Sequence, residues 1–190
     1  MAPTNVTRSS RGTAAPRRVR LLTSCAALLA VLAGSLVAAG PADAASRLTP
    51  SRTEARYAAA VVRLINAERH AHHLPALHSN SRLAASAMSH DLTMARHNTM
   101  SHQLRGEAYF TTRISRAGYR WNYAGENIGW SSWMSESGVL YLERYMYAER
   151  APYDGHRRNI LDRHYRDVGV AVHLDTRHHK VWLTVDFGRQ

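Results

Sequence analysis

From Arg52 onward, apolar positions repeat first with helical spacing and, near the C-terminus, with strand spacing. Tyr57, Val61, Leu64 and Ile65 recur at three- and four-residue steps within Arg52–His70, while Glu54, Arg56, Arg63 and Glu68 lie off that stripe. An amphipathic helix is predicted there, with Thr53 as its N-cap and Pro75 beyond its end, because proline disfavours a helical predecessor. A second helix is predicted from an N-cap at Ser81 to His97, turning Leu83, Ala87, His90 and Met94 inward, with Asn98-Thr99 closing it. Tyr109–Ala117 reads as a shorter helix followed by Gly118 as its C′ residue. Asn127–Trp133 has the composition of a strand, and Glu136–Glu149 returns to helical periodicity. Val139, Leu142, Met146 and Glu149 share a stripe there, which sets a carboxylate at the end of an apolar face. A buried unpaired carboxylate costs several kcal/mol, so Glu149 either meets a cation or donor or frays into solvent. Strict alternation over Asp167–Leu174 and Lys180–Phe187, joined by Asp175–His179, predicts a terminal hairpin. Helices followed by an antiparallel sheet of at least three strands make an α+β fold in layers.

The pattern before residue 45 is of another kind. Arg17, Arg18 and Arg20 precede an apolar stretch from Leu21 to Val37, and Ala42-Asp43-Ala44 supplies small residues for a signal peptidase. The stretch approaches bilayer-spanning length, but Gly34, Gly40, Pro41 and the small-residue site favour cleavage after Ala44. Residues 1–44 are therefore expected to be a secretory leader, 45–54 a linker and 55–190 one folded domain. No stable membrane span is expected after cleavage. The remaining chain of about 146 residues can bury roughly 70% of its surface without covalent staples. Cys25 is the only cysteine and sits near the start of the apolar run, not after it where a lipidated cysteine belongs. The exported domain then has neither disulfides nor thiolate chemistry.

Charge narrows the partners. Five of the 25 basic and one of the 14 acidic side chains fall in the leader, leaving a formal +7 carried almost wholly by arginine, with Lys180 the lone lysine. Such a surface suits an anionic wall or membrane. The arginines are scattered and the product is exported, so nucleic acid is not the expected partner.

Common catalytic signatures are absent: no His-Glu-x-x-His, no Gly-x-Ser-x-Gly and no glycine-rich phosphate loop. All twelve histidines follow the leader. His70, His72 and His73 suit a helix C-terminus, His178 and His179 a solvated hairpin tip, and His90 a hydrogen-bonded place in the core. Neither histidine cluster has convincing metal-ligand spacing.

His102, Glu126, Glu149 and His156 belong instead to an ordered series of short motifs. Asn66-Ala67-Glu68-Arg69, Leu74-Pro75-Ala76-Leu77 and Leu83-Ala84 open it. Met100-Ser101-His102, Gly118-Tyr119 and Gly125-Glu126-Asn127-Ile128 continue it. Gly155-His156-Arg157-Arg158-Asn159-Ile160-Leu161, Val168-Gly169-Val170 and Asp186-Phe187-Gly188 complete it. In this order they resemble the CAP superfamily, or SCP domain, of cysteine-rich secretory proteins, antigen 5 and pathogenesis-related-one proteins. The resemblance spans Tyr57 to Gly188 and is to the bacterial branch, since the eukaryotic disulfides and the His-Tyr-Thr-Gln type of motif are missing. It implies a three-layer α-β-α sandwich with a central antiparallel sheet and a cleft lined by two histidines and two glutamates. By motif these are His102, Glu126, Glu149 and His156, with Glu143 the alternative for the second glutamate.

Two imidazoles and two carboxylates can balance charge around a Zn²⁺ ion, with Ca²⁺ or Mg²⁺ also open. Otherwise the histidines protonate and pair with the glutamates. Zinc is expected to bind more tightly at pH 7.5 than at 5.5. The resemblance implies a secreted binding module, extracellular or associated with the cell envelope, for a lipid, a wall fragment or a protein. The alternative is a metal-dependent hydrolase of peptidase or esterase type with Glu126 or Glu149 as base. Against it, no separate nucleophile with an orienting partner is visible. A third reading has the tetrad stitching helices to sheet. Asn127 and Asn159 are expected to tie loop backbone, Gly125 and Gly155 to meet backbone needs, and Arg157 and Arg158 to divide between an acidic partner and solvent.

Overall fold

A computed structural model describes residues 48–190. The expected leader, its cleavage site and Cys25 lie outside the described residues. In the linker, Ser51 does what was expected of Thr53. It caps helix α1 (Arg52–Ala71), its hydroxyl accepting from the Glu54 amide while the Glu54 carboxylate accepts from the Ser51 amide. This reciprocal capping box satisfies two amides that a helix start leaves free. Strand β1 (His78–Ser79) follows, then helix α2 (Ser81–His97). Asn80, not Ser81, caps α2, because its carboxamide oxygen reaches the amides of both Arg82 and Leu83. Asn98 closes α2 in the left-handed region at φ 48°. Helix α3 (Phe110–Arg116) and strand β2 (Tyr123–Ser131) come next; β2 starts and ends earlier than its composition suggested. Helix α4 (Glu136–Tyr147), helix α5 (Gly155–Ile160) and the hairpin β3 (Asp167–Asp175) and β4 (Lys180–Arg189) complete the chain.

The sheet order is β1-β3-β4-β2. β2, β3 and β4 pair antiparallel as expected, and the two-residue β1 adds a parallel edge that the sequence pattern did not announce. Val168, Val170 and Val172 on β3 and Val181, Leu183, Val185 and Phe187 on β4 face α1 and α4, packing on Tyr57, Val61, Ile65, Val139 and Met146. The intervening residues of both strands are buried too, because α2 covers the second face. This is the three-layer α-β-α sandwich, with β2 as one edge strand.

Coverage of both faces changes several polar positions. Glu54 and Glu68, off the apolar stripe of α1, are nonetheless buried. Glu54 accepts from the Leu174 amide at 2.9 Å and lies 3.2 Å from His173 Nδ1, stapling α1 to β3. Glu68 faces Glu143 of α4. Burial pushes the Glu68 carboxyl up to about 7, and burial together with Glu68 raises Glu143 well above the usual range. Arg69, fully buried, donates to the carbonyls of Pro75, Ile160 and Asp162 and so fixes the loops around α5 to α1. Among the described residues, no helix is long and apolar enough to cross a membrane.

Candidate functional site

Edge strand β2 carries the site. Successive residues of a strand point to opposite faces, so Glu126 faces α2 and α3 while Asn127 faces α5. On the first side, the loop between α2 and α3 brings His102 Nδ1 to 2.9 Å from Glu126 Oε1. Arg113, on the inward face of α3, donates to Glu126 Oε2 and, through its other terminal nitrogen, to the carbonyls of His102 at 3.1 Å and Ala108 at 2.9 Å. The same guanidinium thus orients the carboxylate and the loop that presents its histidine. Burial alone raises the Glu126 carboxyl, but the His102 hydrogen bond and the Arg113 charge outweigh it and hold it below its ordinary value. Glu126 is anionic at neutral pH. The Glu126 side chain is 1% exposed and that of His102 42% exposed, so the carboxylate stands behind an imidazole that solutes can reach.

On the other side, Glu149 repeats the arrangement. Its Oε1 lies 2.6 Å from His156 Nδ1 and its Oε2 accepts from the His156 amide at 2.9 Å. Helix α4 ends at Tyr147, so Glu149 reaches His156 from the following turn. The expectation that an inward carboxylate must find a donor is met by both bonds. Glu143 is elsewhere, fully buried against Glu68. His156 is again the more accessible partner, 34% against 17%.

Two asparagines join the halves through the backbone. Asn127 Nδ2 donates to the His156 carbonyl at 3.1 Å, and Asn159 Nδ2 donates to Asn127 Oδ1 at 2.8 Å and the Glu126 carbonyl at 3.3 Å. Gly125 is needed for close approach: a Cβ there would lie 2.1 Å from the Tyr165 hydroxyl. Gly155, by contrast, has open space around its missing Cβ and no left-handed φ, which corrects the expected backbone need. Arg158 pairs with Asp154 at 3.0 Å, whereas Arg157 is held, not solvated, donating to the Tyr147 carbonyl at 2.5 Å over the Tyr147 ring.

In a neutral imidazole, a Nδ1–H given to a carboxylate leaves Nε2 with a lone pair. Both histidines therefore offer one metal-competent nitrogen each. The carboxylate oxygens are occupied: Glu126 by His102 and Arg113, Glu149 by the His156 ring and amide. Among the described residues, no three His, Cys, Asp or Glu side chains come together as a metal-holding group. With their oxygens engaged, the glutamates suit an outer-shell role behind their histidines better than that of direct ligands.

Several participants lay outside the sequence reading. Arg113 falls three residues after Phe110 and next to Ile114, on the buried face of α3, so its inward direction was visible in the periodicity. Asp186 was not: it pairs across the sheet with Glu126, and burial and the Glu126 charge raise its carboxyl well above the usual range. His90 occupies the core as expected, with Nδ1 2.9 Å from Glu107 Oε1. His178 is not solvated; its Nδ1 lies 2.7 Å from Asp175 Oδ2 and helps close the hairpin loop.

The CAP profile, described as the Cysteine-rich secretory protein family, matches residues 62–187. An extracellular SCP-domain protein of Bacillus anthracis matches the structure with a TM-score of 0.62 and 26% identity, over 75% of this chain and 44% of its own. An outer surface protein of Borrelia burgdorferi matches with a TM-score of 0.61 at 16% identity, over 71% of this chain and 93% of its own. A cysteine-rich secretory protein of Staphylococcus aureus matches with a TM-score of 0.52 at 20% identity, over 74% and 41%. The chain spans less than half the length of the Bacillus protein. No curated protein matches it.

Proposed function

The chain belongs to the CAP family of cysteine-rich secretory proteins, and on that premise we propose that it is an extracellular or envelope-associated binding module. Its working surface is the β2 edge, where His102 and His156 present Nε2 outward. The observation that carries this reading is the repeated His–Glu pair, with a shielded carboxylate behind an accessible imidazole on both sides of one strand. A fold-stitching role alone gives no reason for both imidazoles to stay more accessible than their carboxylates. Export is supported by the leader-like N-terminus and by relatives described as extracellular and as an outer surface protein.

A divalent ion, zinc first, is the proposed cofactor of this edge. His102 and His156 hold it, while Glu126 and Glu149 fix the ring orientations and raise ligand basicity. When bound, the ion supplies a Lewis-acidic anchor for an oxygen or nitrogen donor of the ligand, a lipid, a wall fragment or a protein. Hydrolysis is the second reading, favoured by the likeness of each pair to a base with its orienting carboxylate. In that reading the base is an imidazole Nε2, because both glutamates are already engaged.

The test is metal content by mass spectrometry of the purified protein, compared with His102→Ala plus His156→Ala. Loss of stoichiometric zinc with an unchanged circular dichroism spectrum is the expected result. Unfolding of the double variant would favour the stitching role, and wild-type protein that takes up no divalent ion would overturn the metal reading. Turnover of a peptide and ester panel by wild type and not by the double variant would move the reading to hydrolysis.

A further inference from the structure

Behind the Glu126 pair, on the side of α2 and α3, lies a second recess. Its volume is about 500 Å³, within the roughly 300–1,000 Å³ of small-molecule sites. Four arginines line it: Arg96 from the end of α2, Arg105 from the following loop, and Arg113 and Arg116 from α3. Among the described residues, Arg105 and Arg116 meet no carboxylate, and Arg96 reaches only the Thr93 hydroxyl at 3.2 Å. Glu107 is the one acidic residue in the lining, and its oxygens are taken by His90 and by the Leu104 amide. Arg113 is nine-tenths buried and spends its terminal nitrogens on Glu126, His102 and Ala108. Among the described residues, its Nε–H has no acceptor.

Four guanidiniums around one concavity, one with a buried donor left over, have no structural use for one another. Arg113 is countered by Glu126 and by Glu107 at 3.8 Å, but Arg96, Arg105 and Arg116 leave the recess with an excess of positive charge, and planar forks of N–H donors match phosphate oxygens. We propose that this recess is a binding site for a phosphate ester, separate from the His–Glu edge and beyond the function proposed for it. Arg96, Arg105 and Arg116 neutralise the ester's charge, and Arg113 lines the recess beside them. The ester can belong to a soluble or polymeric glycerophosphate or to a lipid headgroup.

The test is calorimetric titration of the purified protein with sn-glycerol 3-phosphate at low salt. Three proteins are compared: wild type, Arg96→Ala/Arg105→Ala/Arg116→Ala, and a control with equal charge loss on other surfaces, Arg52→Ala/Arg63→Ala/Arg177→Ala. All six arginines are exposed, so both variants are expected to fold. Saturable binding that weakens about tenfold or more in the first variant and less than about twofold in the control is the expected result. No saturable binding to wild type, or equal losses in both variants, would overturn the proposal; equal losses would reduce it to diffuse surface charge. Sedimentation with phosphatidylglycerol vesicles then separates the sources. Capture that glycerol 3-phosphate displaces and the first variant lacks assigns the lipid headgroup; titration without vesicle capture assigns the soluble or polymeric ester. Zinc content of the first variant reads the His–Glu edge separately, and is expected to match wild type.

Discussion

Glu143→Gln should stabilise the protein at neutral pH and leave it nearly unchanged in acid. Glu143 is fully buried on α4 against Glu68 of α1, and among the described residues its oxygens meet no donor other than the Glu68 carboxyl. Burial raises both carboxyls, Glu68 to about 7 and Glu143 well above its ordinary value. The folded state therefore holds protons that the unfolded chain releases near 4.5. Native stability falls as pH rises through the interval between those values, because the folded state binds more protons there. A carboxyl moved from 4.5 to about 7 corresponds to ~3 kcal/mol at about 1.4 kcal/mol per pKa unit. Glu68 and Glu143 titrate as an interacting pair, so removing one of them recovers only part of that figure, ~1–2 kcal/mol. The substitution keeps the volume, removes one of the two titrations, and gives Glu68 an amide donor. Urea denaturation of wild type and variant at pH 4.5 and 7.5 measures the difference. The two should agree within ~1 kcal/mol at pH 4.5, and the variant should be more stable by ~1–2 kcal/mol at pH 7.5. A gap that is the same at both pH values, or a variant less stable at pH 7.5, would refute the buried acid pair.

Glu54 titrates with the opposite sign. Burial raises it, but bonds from His173, the Leu174 and Ser51 amides and the Ser51 hydroxyl bring it down to about 2. Its contribution is complete above about 4.5 and is lost as pH falls toward 2. Glu54→Ala should cost ~2–4 kcal/mol at pH 7 through the lost capping box and the stranded Leu174 amide. That deficit should shrink in urea titrations carried down to pH 2.5. The two glycines beside the site should separate in thermal melts. Gly125→Ala drives a methyl into the Tyr165 hydroxyl and should cost at least ~1–3 kcal/mol. Gly155→Ala, with open space and ordinary φ, should be neutral or stabilising by ~0.4–1 kcal/mol. Equal melting shifts for the two would contradict the packing described for the asparagine link.

Much of the fold was legible because periodicity is local. The stripe Tyr57-Val61-Ile65 marks α1, the alternation through Val181, Leu183, Val185 and Phe187 marks β4, and the ordered motifs from Ser101-His102 to Asp186-Phe187-Gly188 mark the family. Caps were less legible. Ser51, Thr53, Asn80 and Ser81 are all competent, and the choice falls to the residue whose backbone stays extended ahead of the first turn.

The four residues His102, Glu126, Glu149 and His156 could be named from motif order alone, and the structure places them as two pairs. Sequence favoured Glu149 over Glu143 for the second glutamate, but the partner that each one meets was not legible. A helical stripe places both near the inner side of α4, and only the stop at Tyr147 frees Glu149 to turn toward His156 while Glu143 stays under α1. Nor could it foresee Asp186 or the buried state of Glu126. Alternation tells which residues share a face of a strand but not whether another layer covers that face. Here α2 covers it, and that packing turns ordinary outward-facing carboxylates into buried groups whose charge depends on Arg113 and His102. The chain itself specifies the elements and the reactive side chains; the stacking of its layers decides which of them are shielded, which are paired, and that His102 and His156 stay more accessible than the carboxylates behind them.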